Sequence, residues 1–289
     1  MLFRSDAILF VVLLCSGGAG RVFAAERQDC SPESIAQRLY EAHGYTGRAD
    51  YARSEQVFAK ILTCQKQSLP ADHLNIAVTL GNLGETKRLQ HQFGAAETLF
   101  KEAGRLHEMA GRTEHPAFGA SQLSLASVYK DRKQYHLAEP LVRQAMQIFD
   151  RSPGPQSLEA SAALNTFAVL HAEAGNLEGA ERYLRIAVAR RPDSPLDAST
   201  ATVQYNLGKI LLEMGRVGEA EEWLVKALDL RSQLLGTSHP STRLTLEAYE
   251  SLLKSAGRQP EARQIRTRAR QGNGLTQRHA LELPWAAER

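Results

Sequence analysis

Nine histidines, three cysteines and 32 carboxylates are the groups of this 289-residue chain suited to catalysis or metal binding. The closest approach to a metal-ligand set is His107, Glu108 and His115, followed by His171 with Glu173. A protein metal site needs three or four donors converging on one point. His107 and His115 straddle a break between two helical patterns, and His171 and Glu173, two apart on one helix, point in different directions. The sequence holds no glycine-rich phosphate loop and no nucleophile elbow. The expectation is therefore no catalytic residue, no metal and no cofactor, in a protein that is not an enzyme.

The elements that must position any site begin after residue 24. Arg4, the nine-residue apolar run "AILFVVLLC" (7 to 15) and "VFA" ending at Ala24 read as a signal peptide, residues 1–24, cleaved after Ala24. The run is about half the length that spans a bilayer, so no integral membrane segment is expected after cleavage. Cys15 follows Leu14 rather than a small residue, unlike a lipoprotein processing site. The chain is thus expected to be exported, to the periplasm or beyond. Removing Arg4, Arg21 and Asp6 leaves 33 basic and 31 acidic residues, a net charge of +2. Such balance excludes nucleic acid as the main partner, because phosphate binding leaves a clearly basic domain. Cys30 and Cys64 remain, and an even count in an oxidising compartment reads as one disulfide, the alternative being two buried free thiols.

Aromatics make up only 7% of the chain, which favours helix formers over strand formers. Small residues recur at Ser54, Ala96, Ala138, Ala180, Ala220 and Ala262, spaced by 42, 42, 42, 40 and 42. Around them Val57, Phe58, Ile61 and their counterparts, such as Tyr183, Leu184 and Ala187, form an i, i+3, i+4, i+7 stripe, the mark of an amphipathic helix, here helix B. Upstream in each unit lies a second stripe, helix A: Leu80, Leu83, Gly84; Leu125, Ala126, Tyr129; Leu164, Phe167, Ala168; Leu207, Gly208, Leu211; Leu246, Tyr249, Leu253. Gly175, Gly215 and Gly257 stand in the turns between A and B, where a left-handed residue closes a helix. One hairpin cannot bury both stripes, so units must stack.

"LNTFAVLHAEAGNLEGAERYLRIAVARRP" (164 to 192) resembles a tetratricopeptide repeat. The 42-residue unit, with "EHP" (114 to 116) and "SHP" (238 to 240) before helix A, is similar to the long repeats of kinesin light chains and their bacterial relatives. The resemblance covers roughly residues 31 to 271 and implies an all-α, right-handed α-solenoid of about six hairpins. Residues 25–271 form the array, with repeats at about 31–70, 71–112, 113–154, 155–194, 195–236 and 237–271, and 272–289 is a flexible tail. His73, His115 and His239 open A helices. The first repeat is divergent. In the last, Glu250 replaces the small residue of helix A and Arg266 the apolar one of helix B, as suits a unit with no further neighbour. Cys30 before the first helix A and Cys64 at the end of its helix B would staple the terminal repeat, worth about 3 kcal/mol in the chain-entropy model.

A stacked array leaves a concave groove lined by the A-helix positions that do not pack. The candidates are Asn82, Glu85, Arg88, Ser127, Lys130, Asn165, Tyr205, Asn206 and Lys209. Asparagine amides can hold an extended backbone, and the cations can meet acidic side chains. In kinesin light chains groove asparagines are implied to grip cargo peptides, and Asn82 and Asn206 match that position. Glu85, Ser127 and Val169 stand where a chaperone-tail clamp needs asparagine, which disfavours that ligand. The expected function is a non-catalytic scaffold binding a partner protein or peptide in the groove. The alternative is an assembly subunit of an envelope or secretion complex. Residues 254–289 carry a net +5, read as a solvated outer face rather than a patch for an acidic partner.

Overall fold

The computed structural model describes residues 29–190 and 197–270, which form twelve α-helices. They pair as α1 (Pro32–Gly47) with α2 (Tyr51–Ser68), α3 (Leu74–Leu89) with α4 (Phe93–Met109), α5 (Pro116–Asp131) with α6 (Tyr135–Arg151), α7 (Leu158–Glu173) with α8 (Leu177–Ala189), α9 (Ala198–Glu213) with α10 (Val217–Leu235), and α11 (Pro240–Ser255) with α12 (Gln259–Arg270). Each helix packs on the next, and each A helix from α3 to α9 also touches the A helix of the following hairpin. The result is an all-α solenoid. The expected signal peptide (1–24) and tail (272–289) lie outside the described residues.

Local chemistry explains where each helix starts. His73, His115 and His239 cap α3, α5 and α11, each Nδ1 accepting the backbone N–H two residues on, at 3.1, 3.1 and 3.2 Å. Ser31, Ser157 and Asp197 do the same for α1, α7 and α9 by accepting the N–H three residues on.

Small residues set the spacing within a hairpin. A Cβ added at Gly84 would stand 3.0 Å from the Phe100 ring, and one at Gly208 2.8 Å from Leu224 Cγ. Ala96, Ala138, Ala180, Ala220 and Ala262 are buried at the same crossing. The turn residue is left-handed in every hairpin. It is Gly175, Gly215 and Gly257 in the last three, but Ala49, His91 and Lys133 in the first three, all near φ +60°. A side chain there costs about 1 kcal/mol relative to glycine.

A second recurrence fixes each hairpin against the next. The residue after each of the first five landmark small residues is a glutamate, Glu55, Glu97, Glu139, Glu181 or Glu221, and four of the five take a cation from the following repeat. Lys87 meets Glu55 at 2.6 Å, Arg132 meets Glu97 at 2.7 Å, Arg216 meets Glu181 at 2.6 Å and Arg258 meets Glu221 at 2.7 Å. Glu221 is buried and also accepts the Tyr249 hydroxyl at 3.1 Å. Glu139 pairs only with Arg143 on its own helix.

The last repeat departs from expectation. Glu250 is only 3% exposed, not a polar outer face, and Arg266 reaches it with both Nε and Nη2. The two charges replace the small and apolar residues as a matched pair across the α11–α12 crossing, the half-exposed Arg266 supplying the counter-charge that the buried Glu250 needs. At the other end Cys30 and Cys64 form a disulfide with Cα atoms 5.3 Å apart, tying the start of α1 to the end of α2.

Three outcomes follow from these contacts. Lys133→Gly relieves the left-handed strain and should raise stability by about 1 kcal/mol in urea denaturation. Glu221→Ala leaves Arg258 and Tyr249 without their buried acceptor and should cost about 3 kcal/mol, whereas Glu139→Ala should cost less than about 0.5 kcal/mol. His107 is 2% exposed, with Nδ1 unpartnered and its ring edge-on to Phe118. Burial, with His115 and Arg112 nearby, holds its pKa below the ordinary imidazole value. The folded state then binds this proton more weakly than the unfolded chain, so stability falls as pH drops below about 6.5. Carboxylates with lowered pKa, such as Glu181, add their loss only below about 4.5. Thermal melts at pH 7.5 and 5.5 should show a smaller loss for His107→Phe than for the wild type, and an equal loss would refute the assignment.

Candidate peptide groove

Thr202, Asn206, Lys209 and Glu213 share one face of α9, and Asn165, Val169, Ala172 and Glu173 face them from α7. Between the two A helices lies a hollow of 280 Å³ lined by Ala168, Val169, Ala172, Glu173, Leu184, Asn206, Lys209, Ile210 and Glu213. Its floor is apolar and its rim polar, the composition of a site that seats one side chain and orients the chain around it. Asn206 Nδ2 donates to Asn165 Oδ1 at 2.7 Å across the repeat junction. That bond leaves Asn206 Oδ1 to accept and Asn165 Nδ2 to donate. Lys209 and Glu213 make no ion pair among the described residues.

A larger hollow of 550 Å³ lies between the C-terminal ends of α3, α5 and α7, lined by Arg88, Lys130, Asp131, Lys133 and Glu173 among others. The charges of Arg88, Lys130 and Asp131 are already matched. Arg88 is held by Glu85 through two 2.8 Å bonds and by Asp131, and Lys130 meets Asp131 at 2.7 Å. Glu85, against the opposing effect of burial and aided by Asp131, raises the Arg88 pKa. Burial works against the Asp131 carboxylate, yet Lys130 and Arg88 outweigh it and hold its pKa low.

The structure therefore sorts the sequence candidates. Asn165, Asn206 and Lys209 come together at one hollow. Glu85, Arg88 and Lys130 come together at the other, spent on ion pairs rather than open to a ligand as expected. Asn82 is half-buried on α3, and Ser127 Oγ donates to the Leu123 carbonyl of its own helix. Tyr205 is a correction: it is 8% exposed, packed in the core beneath the Arg231 guanidinium rather than along the groove wall. Position 205 stands one residue, or about 100°, from the Asn206 face, and that rotation turns it inward. The metal candidates are dispersed. His107 is buried against Phe118, His115 caps α5, His171 packs on Phe167 and Tyr183, and Glu173 accepts the Tyr135 hydroxyl.

Sequence reasoning passed over an acidic row at the ends of the A helices, Asp131, Glu173 and Glu213. Their spacings of 42 and 40 follow the repeat, and that recurrence was the available signal.

A family model described as "MalT-like TPR region" matches residues 64–234, and a second, "Tetratricopeptide repeat", matches 199–272. The chain belongs to the tetratricopeptide-repeat (TPR) family. Among curated proteins this TPR chain is similar to Protein KINESIN LIGHT CHAIN-RELATED 1 of Arabidopsis thaliana, at 23% identity over 181 residues. That match takes in 63% of the chain but only 30% of the Arabidopsis protein. Its fold is similar to that of BtubC (BKLC) from P. vanneervenii, with a TM-score of 0.59 and 20% identity over 73% of this chain and 85% of that one. NprR in complex with its cognate peptide NprX gives a TM-score of 0.56 and 18% identity, over 80% of this chain and 64% of NprR. Among the described residues no helix is long and apolar enough to cross a membrane.

Proposed function

We propose that the chain is a non-catalytic scaffold that binds an extended segment of a partner protein in its concave groove, outside the cytoplasm. The observation that carries the reading is the Asn206–Asn165 pair, whose unspent acceptor and donor flank an apolar-floored hollow. An extended backbone offers one N–H and one C=O at such a point, and the hollow takes the side chain between them. The NprR complex shows that a TPR-like array of similar fold accommodates a peptide. For export, the support is the apolar N-terminal run ending at Ala24 and the Cys30–Cys64 disulfide, which needs an oxidising compartment to persist. The near-neutral charge supports a protein partner over nucleic acid.

The test is selection of a phage-displayed random dodecamer library on the purified chain, followed by affinity measurement of the selected peptides. Asn206→Ala removes one hydrogen bond to the ligand backbone and the partner that orients Asn165 for the other, and should weaken binding about ten-fold while leaving the thermal midpoint within about 2 °C. Loss of the fold with binding retained would sink the groove assignment.

A further inference from the structure

Between α9 and α11 lies a charge that no part of the groove described above uses. Arg231, near the end of α10, is 5% exposed, and its guanidinium lies 4.8 Å above the Tyr205 ring. Nη1 donates to the Ser241 carbonyl at 3.0 Å and to Thr245 Oγ1 at 2.6 Å, and Nη2 donates to Thr202 Oγ1 at 3.2 Å. Every acceptor is neutral. The two threonine hydroxyls themselves donate to their own helices, at 2.8 and 2.9 Å, so they supply lone pairs but no charge. Among the described residues no carboxylate pairs with Arg231, although a guanidinium this deeply buried is ordinarily matched by one. A guanidinium has five N–H groups, and these contacts use three, leaving Nε–H and one Nη2 hydrogen unspent. Desolvation accordingly pulls the arginine pKa down.

The unspent cation is next to the groove rather than remote from it. Thr202, which it touches, lies on the α9 face that carries Asn206 and Lys209, about 6 Å along the helix from the asparagine pair. Two charged side chains of α11 stand nearby on the exposed surface, Arg243 and Glu247, and Glu247 bears on the Tyr205 hydroxyl without pairing with Arg231.

We propose that this arginine is a carboxylate subsite of the groove, at which an Asp or Glu side chain of the bound segment reaches the junction of α9 and α11 and pairs with Arg231. The inference rests on the groove reading above. The planar fork of the guanidinium matches a carboxylate, and the Tyr205 ring shields one face of the pair from water, where a charge-assisted bond is strongest. Glu213, at the opposite end of α9, disfavours an acid placed there. A segment with one acidic residue is thereby held in a single direction.

Peptides selected on the wild-type chain should carry Asp or Glu at one fixed position. When they are synthesised with acetylated and amidated ends, changing that residue to Asn or Gln should weaken binding to the wild type about ten-fold, and to Arg231→Gln less than about two-fold. Arg231→Lys keeps the charge without the fork and should fall between. Circular dichroism melts identify a variant that has lost its fold, and Arg231→Lys then carries the comparison. Selected peptides without a fixed acidic position, or an equal loss in both proteins, would overturn the subsite. So would binding confined to peptides with a free C-terminal carboxylate. If peptides bind and depend on Asn206 but ignore the acid, the groove stands and the subsite falls. If no dodecamer binds, both fall.

Discussion

Close approach of two helix backbones at a small residue governs this molecule. At the crossing of α9 and α10, Gly208 faces Leu224 with no room for even a methyl group, and Ala220 is buried beside them. Gly84 against Phe100 repeats the arrangement three hairpins earlier. Because the A and B helices of a hairpin are held this near, their large apolar residues are forced outward to the flanks of the crossing. There they can be covered only by the next hairpin. Stacking is thus a consequence of the crossing. The groove in turn is a consequence of stacking, since successive A helices touch along one side and leave their polar faces outside.

Hydrophobic flanks alone would let one hairpin slide or rotate on another. The glutamate after four of the landmark small residues removes that freedom by reaching a cation in the next repeat. Its burial varies along the array: the side chain is 33% exposed at Glu55, 13% at Glu181 and 7% at Glu221. The exposed pairs are worth little on their own account, while Glu221 with Arg258 and Tyr249 forms a connected buried set whose members depend on one another. The most deeply buried of these pairs therefore joins the fifth and sixth repeats. Arg231 lies at the same junction, and the Glu250–Arg266 pair lies within the sixth repeat.

The helical hairpins were legible in the sequence because their cause is local and periodic. The landmark alanines, the A-helix stripes and the capping histidines each recur at the repeat length, and each does in the structure what its pattern implied. Side-chain partnerships between repeats were less legible. Glu250 and Arg266 read singly as polar intrusions into apolar positions, and only their meeting across α11 and α12 shows them to be one device. Arg88 and Lys130 looked open to a ligand because the carboxylates that occupy them, Glu85 and Asp131, sit on the same or the neighbouring A helix in a register that spacing alone does not resolve. Tyr205 was misplaced by one residue on the helix wheel, enough to exchange the groove for the core.

The electrostatics of the groove follow from this division of labour. Toward the C-terminal ends of its A helices the charges of the first repeats are largely neutralised in place, and the acidic row continues through Glu173 and Glu213, with Lys133 and Lys209 beside them. A helix C-terminus already carries partial negative charge, so acids there strengthen the local field rather than cancel it. Toward the N-terminal ends of α9 and α11 the partial charge is positive, and Arg231 lies buried there without a counter-ion. The asparagine pair is neutral and stands between them. A polar groove with a uniform field would hold an extended chain in either direction, since backbone amides and carbonyls alternate along both. The proposed pairing of an acidic side chain with Arg231 removes this freedom, because a ligand carrying one acid gains energy in one orientation and not in the other.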